Sequence, residues 1–212
     1  MQNKETSIDS NDRLKKLKDI CLQCRQCALF RTRKNMVFGE GSPTATVMFI
    51  GEAPGRDENE SGRPFVGRSG KLLRNMIEAI GIKPEDYYIA NILKDRPPNN
   101  RDPEPDEMEK CIPFLRKQIE IIKPELLVLL GRIAMRGILP DYVDRSIMHM
   151  RNLSKDIGNL SYESIPVIVT YHPSALLRSS GYKAAAREDF LFIKGMFQEI
   201  KNINDLHLIA SQ

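Results

Sequence analysis

No stretch of this chain approaches the roughly 18 consecutive apolar residues that a membrane-spanning helix requires, so no such span is expected. The opening residues Met1 to Ser7 are polar and lack the apolar core of a secretory signal, which points to a cytoplasmic protein with reduced thiols. Internal repeats and low-complexity tracts are missing too, which sets aside solenoids and compositionally biased tails. Histidine is scarce. Of the three, at positions 149, 172 and 207, only His172 sits in a distinctive cluster; His149 and His207 read as structural or surface residues.

What remains is ordinary material for one folded domain. The 212 residues, 41% apolar and 28% charged, suffice for one sizeable core, expected over residues 11 to 200 with loose ends at 1 to 10 and 203 to 212. Thirty-two basic against 28 acidic side chains leave a net charge of +4, unevenly spread. Arg13, Lys15, Lys16, Lys18, Arg25, Arg31, Arg33 and Lys34 cluster with the single acid Asp19, whereas Asp102 to Glu109 holds five acids and no base. A basic face of this kind suits a phosphate backbone, although a solvated helix surface reads the same way.

Hydrophobic periodicity alternates between strand and helix. Apolar runs at Ala45–Ile50, Tyr87–Leu93, Leu126–Leu130 and Ile165–Tyr171 predict four strands. Helical spacing predicts a helix over 11–21 with Leu14, Leu17 and Ile20 on one face, and another over Ser69–Ile80 ended by Gly81. A helix over Asp106–Ile122 follows a proline-rich loop, with Asp106 as N-cap and Met108, Leu115, Ile119 and Ile122 inward. Gly131 opens a further helix, residues 138 to 164 show only weak periodicity, and a last helix runs near Ala184–Ile200. That order predicts a three-layer α/β/α domain around a central, mostly parallel four-stranded sheet.

Two strands end in reactive loops. Gly51-Glu52-Ala53-Pro54-Gly55 closes the first and His172-Pro173-Ser174-Ala175-Leu176-Leu177-Arg178 the last. Ligands of open α/β sheets bind at the carboxyl ends of the strands, so the Glu52 carboxylate and the His172 imidazole can meet over one substrate. Small and apolar residues followed by an arginine in the second loop suit a wedge in the minor groove and a phosphate contact. On that reading Ser174 and Arg178 hold phosphate, and either Leu176 or Leu177 is the wedge.

Cysteines are few but patterned. Cys21, Cys24 and Cys27 follow a C-x2-C-x2-C spacing, and Cys111 lies far off in sequence. Thiolates so spaced can grip one metal centre that a distant cysteine completes, either zinc or an iron–sulfur cluster, although reduced cysteines packing a helix fit the spacing too.

Taken together, Cys24-x-x-Cys27-Ala-Leu, Val37-Phe-Gly-Glu-Gly41, Gly51 to Glu58, Gly62-Arg-Pro-Phe-Val-Gly67, Asn91-Ile-Leu-Lys, Arg96-Pro-Pro-Asn-Asn-Arg101, Cys111-x-Pro-Phe-Leu and His172 to Arg178 resemble the iron–sulfur, or family 4, uracil-DNA glycosylases. The motifs occur in that family's order and spacing across residues 11 to 200. The resemblance implies an enzyme that flips uracil out of DNA and hydrolyses its N-glycosidic bond to start base excision repair. It implies that Glu52, with Ala53 and Gly55, lines the sugar and the attacking water. It implies further that Phe65 stacks on the base, that Asn91 reads the uracil edge, that Glu58 stands near C5 to exclude thymine, and that His172 donates to O2. The expected partner is uracil-containing DNA and the expected state a monomer; the sequence identifies no sliding-clamp or repair-protein partner.

The chemistry suits these residue types. Cleaving the bond leaves positive character on the sugar and negative charge on the base, which a nearby carboxylate and a donor at O2 stabilise. An amide can pair with both N3–H and O4 of uracil but meets mismatched groups on cytosine.

Two departures stand out. Ala53 occupies a position where another branch of glycosylases keeps an aspartate, so the water-activating group is not fixed by the motif. Asp95 stands where the family has its third cluster cysteine, so a 4Fe-4S cluster on Cys24, Cys27 and Cys111 takes its fourth ligand from Asp95, or from Cys21 if the first helix unwinds to reach. A structural zinc or a packed site without metal remain the other readings. The alternative function is a uracil-DNA binding protein that has lost turnover or traps its product covalently. The Arg96 to Pro103 loop lacks the histidine expected of that covalent branch, which favours the enzyme.

Overall fold

In the computed structural model, backbone is described for residues 2–156 and 159–210, and side-chain surroundings for residues 8–156 and 159–206. His207 therefore lies outside the described side chains, as do Met1, Ser211 and Gln212 of the expected loose ends. Six strands form one sheet: β1 (Glu40–Gly41), β2 (Val47–Gly51), β3 (Tyr87–Asn91), β4 (Leu126–Leu130), β5 (Ser161–Tyr162) and β6 (Ile165–Thr170), in spatial order β1-β3-β2-β4-β6-β5. The four expected strands are its parallel centre. The short edge strands β1 and β5 pair antiparallel and carry no apolar run for a sequence reading to find.

Period-two alternation assigns the two faces of this sheet. Met48, Ile50, Tyr88, Ala90, Leu127, Leu129, Val167 and Val169 meet Leu14 of α1 (Gln2–Leu22), Leu115 and Ile119 of α4 (Pro105–Ile122), Met135 of α5 (Arg132–Ile138) and Met150 of α6 (Ile147–Ser154). Val47, Phe49, Ile89, Leu126, Val128 and Ile168 face the other way, onto Leu73 and Ile77 of α3 (Arg68–Ala79) and Phe190, Ile193 and Phe197 of α8 (Lys183–Ala210). Both faces are covered, as strands this apolar demand. Cutting Leu127 to Ala in this interior would destabilise the fold by about 2–5 kcal/mol.

Several local expectations change. In α1 the inward stripe runs Leu14, Leu17, Cys21, while Ile20 is 63% exposed, because the three- and four-residue steps from Leu14 and Leu17 land on 21. Glu104, not Asp106, precedes the first turn of α4: Pro105 fixes the helical start, and the Glu107 carboxylate accepts the Glu104 N–H at 2.9 Å. Helix α6 occupies part of the weakly periodic segment, where its buried face includes the polar Arg151 and Ser154. Helix α8 extends beyond the expected Ile200, and Ile203 and Leu206 on the extension are exposed.

Parallel register places the carboxyl ends of the four central strands at one edge: Gly51 lies beside Asn91 and Leu130 beside Thr170. β2 leads to β3 on one side, and β4 pairs it on the other, so the strand order reverses between β2 and β4 and opens a crevice there. The Glu52 loop, Asn91, Gly131 and His172 all converge on that edge.

Candidate active site and thiol pocket

A cavity of about 600 Å³ occupies the crevice, lined among others by Glu52, Ala53, Gly55, Glu58, Phe65, Asn91, His172, Ser174 and Arg178. These nine residues, all expected from the sequence to belong to one site, line the same cavity. Leu176 is a correction: it is buried against Tyr171 and Ala186, so it is core and no wedge. Leu177, its neighbour in α7 (Pro173–Arg178), is 45% exposed and free to face DNA.

His172 precedes the first turn of α7, and its Nδ1 accepts the Ser174 N–H at 3.2 Å and lies 2.8 Å from the Ser174 hydroxyl. Because a backbone N–H can only donate, Nδ1 is unprotonated and the ring proton sits on Nε2. Burial, reinforced by Arg178, pushes the imidazole pKa down to about 4. The ring is therefore a neutral donor. Ser174, expected at phosphate, spends its polar groups orienting this ring. Gly131, at φ +91°, allows the approach, since a Cβ there would stand 2.9 Å from His172 Cβ.

Phe65 holds a left-handed backbone, φ +52°, rare for an aromatic residue, and its ring centroid lies 5.8 Å from that of His172. Its main chain presses on Gly70 of α3, where any Cβ would overlap the Phe65 carbonyl. Asn91, 2% exposed, ends β3 with Oδ1 buried and without a hydrogen-bond partner. Leaving such an acceptor unpaired costs about 1–3 kcal/mol, a penalty that a bound donor removes.

Glu58, in α2 (Arg56–Ser61), uses both carboxylate oxygens on backbone: Oε2 accepts from Gly55 at 3.1 Å, and Oε1 accepts from Val66 and Gly67 at 2.9 Å each. It thereby clamps the Glu52 loop to the Phe65 loop. Glu52 itself is pushed up to about 7, chiefly by burial and then by Asp102, with Arg132 and Arg178 opposing. Asp102 is paired with Arg132 at 2.6 Å on the cavity rim.

Arg132, Asp102, Arg101, Tyr171 and Tyr182 line the cavity without having been singled out from sequence. For Arg132 a signal existed, since it follows Gly131 at a strand end. Tyr171 owes its position to residues far away: Arg151 lies 4.6 Å over its ring and makes two bonds to Asp189, at 2.6 and 2.7 Å. Asp189 also accepts from the Thr170 hydroxyl at 2.6 Å, so a buried ion pair fixes the strand end that bears His172. Removing one partner of such a pair costs about 3–5 kcal/mol.

The cysteines form a second site. Cys21, Cys24, Cys27, Cys111 and Asp95 line a small cavity of about 20 Å³ with Arg33 and Lys94. All four thiols are free, and burial pushes those of Cys21 and Cys111 up to about 12. Helix α1 does not unwind to bring Cys21 there; its inward stripe already does. The Lys94 N–H donates to Cys111 Sγ at 3.2 Å, and the Lys94 ammonium, fully buried, donates to Asn91 O at 2.8 Å and Gln118 Oε1 at 2.7 Å. Asp95 Oδ2 meets Arg33 at 3.2 Å, while Oδ1 is buried without a partner. Among the described residues, no three His, Cys, Asp or Glu side chains gather as a site for a single metal ion. Four thiols and an orphaned carboxylate oxygen around one cavity are a soft donor set of the kind that zinc or an iron–sulfur cluster takes.

A parallel α/β sheet that brings a carboxylate, an amide, an aromatic ring and a neutral imidazole to one cavity at its carboxyl edge defines the class. Residues 38–192 match the sequence model of the Uracil DNA glycosylase superfamily, and the chain belongs to that family. It is 43% identical over 186 residues to the type-4 uracil-DNA glycosylase of Sulfurisphaera tokodaii, covering 86% of this chain and 84% of that protein. The type-4 enzyme of Archaeoglobus fulgidus is 44% identical over 171 residues, 80% of this chain and 83% of its own. That of Thermotoga maritima is 44% identical over 158 residues, 74% and 79%.

Proposed function

We propose that this chain is a uracil-DNA glycosylase that extrudes uracil from DNA and hydrolyses its N-glycosidic bond, opening base excision repair. The unpartnered Asn91 Oδ1 at the cavity wall carries the reading, because N3–H of uracil is the donor that position lacks. The amide NH2 then donates to O4, which cytosine cannot accept. Phe65 supplies a stacking face that offsets the stacking lost on flipping. Glu58, held rigidly on three backbone N–H groups, forms a wall suited to excluding the thymine methyl.

His172 Nε2–H donates to uracil O2 as negative charge builds on the departing base. A neutral imidazole serves better here than a cation, since it needs no proton uptake and leaves no buried charge before the bond breaks. Glu52, ionising near neutrality, stabilises the cationic sugar and orients water. Arg178 and the exposed Leu177 engage the DNA backbone and groove.

Cys24, Cys27 and Cys111 are the thiols we assign to a 4Fe-4S cluster, which when bound would cross-link the amino-terminal segment to α4. No chemical step uses it.

Incubating the protein with single- and double-stranded DNA carrying one uracil and measuring free uracil tests the function. Stoichiometric release over many turnovers is expected. A stable protein–DNA adduct without freed uracil would instead favour the trapping alternative.

A further inference from the structure

We infer that Cys21, and not Asp95, supplies the fourth thiolate of the cluster, while Asp95 serves as an electrostatic tie in the place of a ligand. The inference rests on the cluster assignment above and concerns which of this chain's residues complete it. Cys21 is 2% exposed and lines the same cavity as Cys24, Cys27 and Cys111 from an intact helix, so the helix need not unwind to bring it there. Ligation exchanges its thiol proton, released to solvent, for a bond to iron, as at the other three cysteines.

Asp95 is committed elsewhere. Its Oδ2 pairs with Arg33, and Arg33 in turn donates through Nη2 to the carbonyl of Leu22 at 2.8 Å, at the end of the helix that carries Cys21. The chain Asp95–Arg33–Leu22 therefore joins the loop after β3 to the end of α1, while Cys111 would tie the same amino-terminal segment to α4 through the cluster. A carboxylate neutralised by a guanidinium is a poor donor to iron, and oxygen is the harder partner for a centre that prefers sulfur. Arg33 and the buried Lys94 also supply positive charge beside a site that four thiolates make negative. The unpartnered Asp95 Oδ1 makes this residue the rival ligand, and the variants below separate the two.

Anaerobically purified wild type, Cys21→Ala, Asp95→Asn and the double variant Cys21→Ala/Asp95→Cys are assayed for iron, acid-labile sulfide and zinc per chain. Visible absorption and circular dichroism are recorded alongside. Wild type and Asp95→Asn are expected to hold the same iron and sulfide, and Cys21→Ala to lose most of both. The double variant, with a thiol returned at position 95, regains them, and this rescue decides the matter even if Cys21→Ala folds poorly. Full iron in Cys21→Ala together with loss in Asp95→Asn overturns the inference and leaves the cluster assignment standing. Wild type without iron and sulfide, or with zinc and no sulfide, overturns the cluster assignment and this inference with it.

Discussion

The base cavity and the thiol pocket take up residues only three apart at the end of β3, Asn91 and Lys94, yet are built on opposite terms. The first is about 600 Å³ and open, and it holds a carboxylate and an imidazole that burial shifts toward neutrality. The second is about 20 Å³, lined by four thiols and by the cationic side chains of Arg33, Lys94 and Lys110. Among the described residues, the buried side-chain oxygens and nitrogens without partners are Asn91 Oδ1 in the one and Asp95 Oδ1 in the other. A wide pocket around an orphaned acceptor suits a ligand that comes and goes; a tight one suits a group that stays. Lys94 stands between them, its main chain bonded to Cys111 and its ammonium to Asn91. Changes on the cavity side should therefore strike turnover, and changes on the thiol side should strike stability.

His172→Ala is the strongest test of that division. Losing the Nε2 donor should lower single-turnover uracil release by about 10²–10³-fold while leaving the thermal midpoint nearly unchanged. A drop of only a few-fold would move the leaving-group role elsewhere.

Glu52→Gln comes next, with about a 10²-fold loss of rate at pH 8. In wild type the rate should rise with pH to a plateau above about 7 and show no limb from His172, whose ring is neutral above about 4. The variant's profile should be flat. Stability moves the opposite way: the carboxyl ionises near 4.5 when unfolded and near 7 when folded, so its ionisation opposes folding. That penalty is absent below the unfolded value, grows between the two and is complete above the folded one. Glu52→Gln should then gain roughly 1–2 kcal/mol at pH 8, and nothing at pH 4, in urea melts.

On the other side, Gln118→Leu deprives the buried Lys94 ammonium of an acceptor and should cost about 1–3 kcal/mol of stability in the same melts, with turnover within a few-fold of wild type. A large turnover defect in a stably folded variant would show that Lys94 conveys the state of one region to the other. Leu177→Ala should have the smallest effect, a few-fold weaker use of duplex substrate with single-stranded DNA unaffected, read from KM on the two substrates.

Sequence made the cavity side unusually legible, because its chemistry sits in contiguous motifs at the ends of strong apolar strands. Glu52, Phe65, Asn91 and His172 needed only the parallel sheet to meet. What escaped was assembled across distance. The clamp that Glu58 forms uses main-chain donors eight and nine residues on, and the Arg151–Asp189 pair that steadies Tyr171 joins helices whose polar inward faces mask their periodicity. Ile20 was favoured over Cys21 on hydrophobicity alone, although the phase of the helix selects the cysteine. Leu176 and Leu177 are chemically alike, and only the turn of α7 tells core from surface.

Because the Lys94 side chain turns back to the carbonyl of Asn91, the span between them is a closed loop of fixed circumference. Ile92 and Leu93 inside it are wholly buried, and another pair of aliphatics of similar volume fits the same room. An insertion or deletion does not: it would carry the ammonium off its acceptor and swing Asp95 away from Arg33. Homologous chains should therefore vary in spelling across this segment but hardly at all in length.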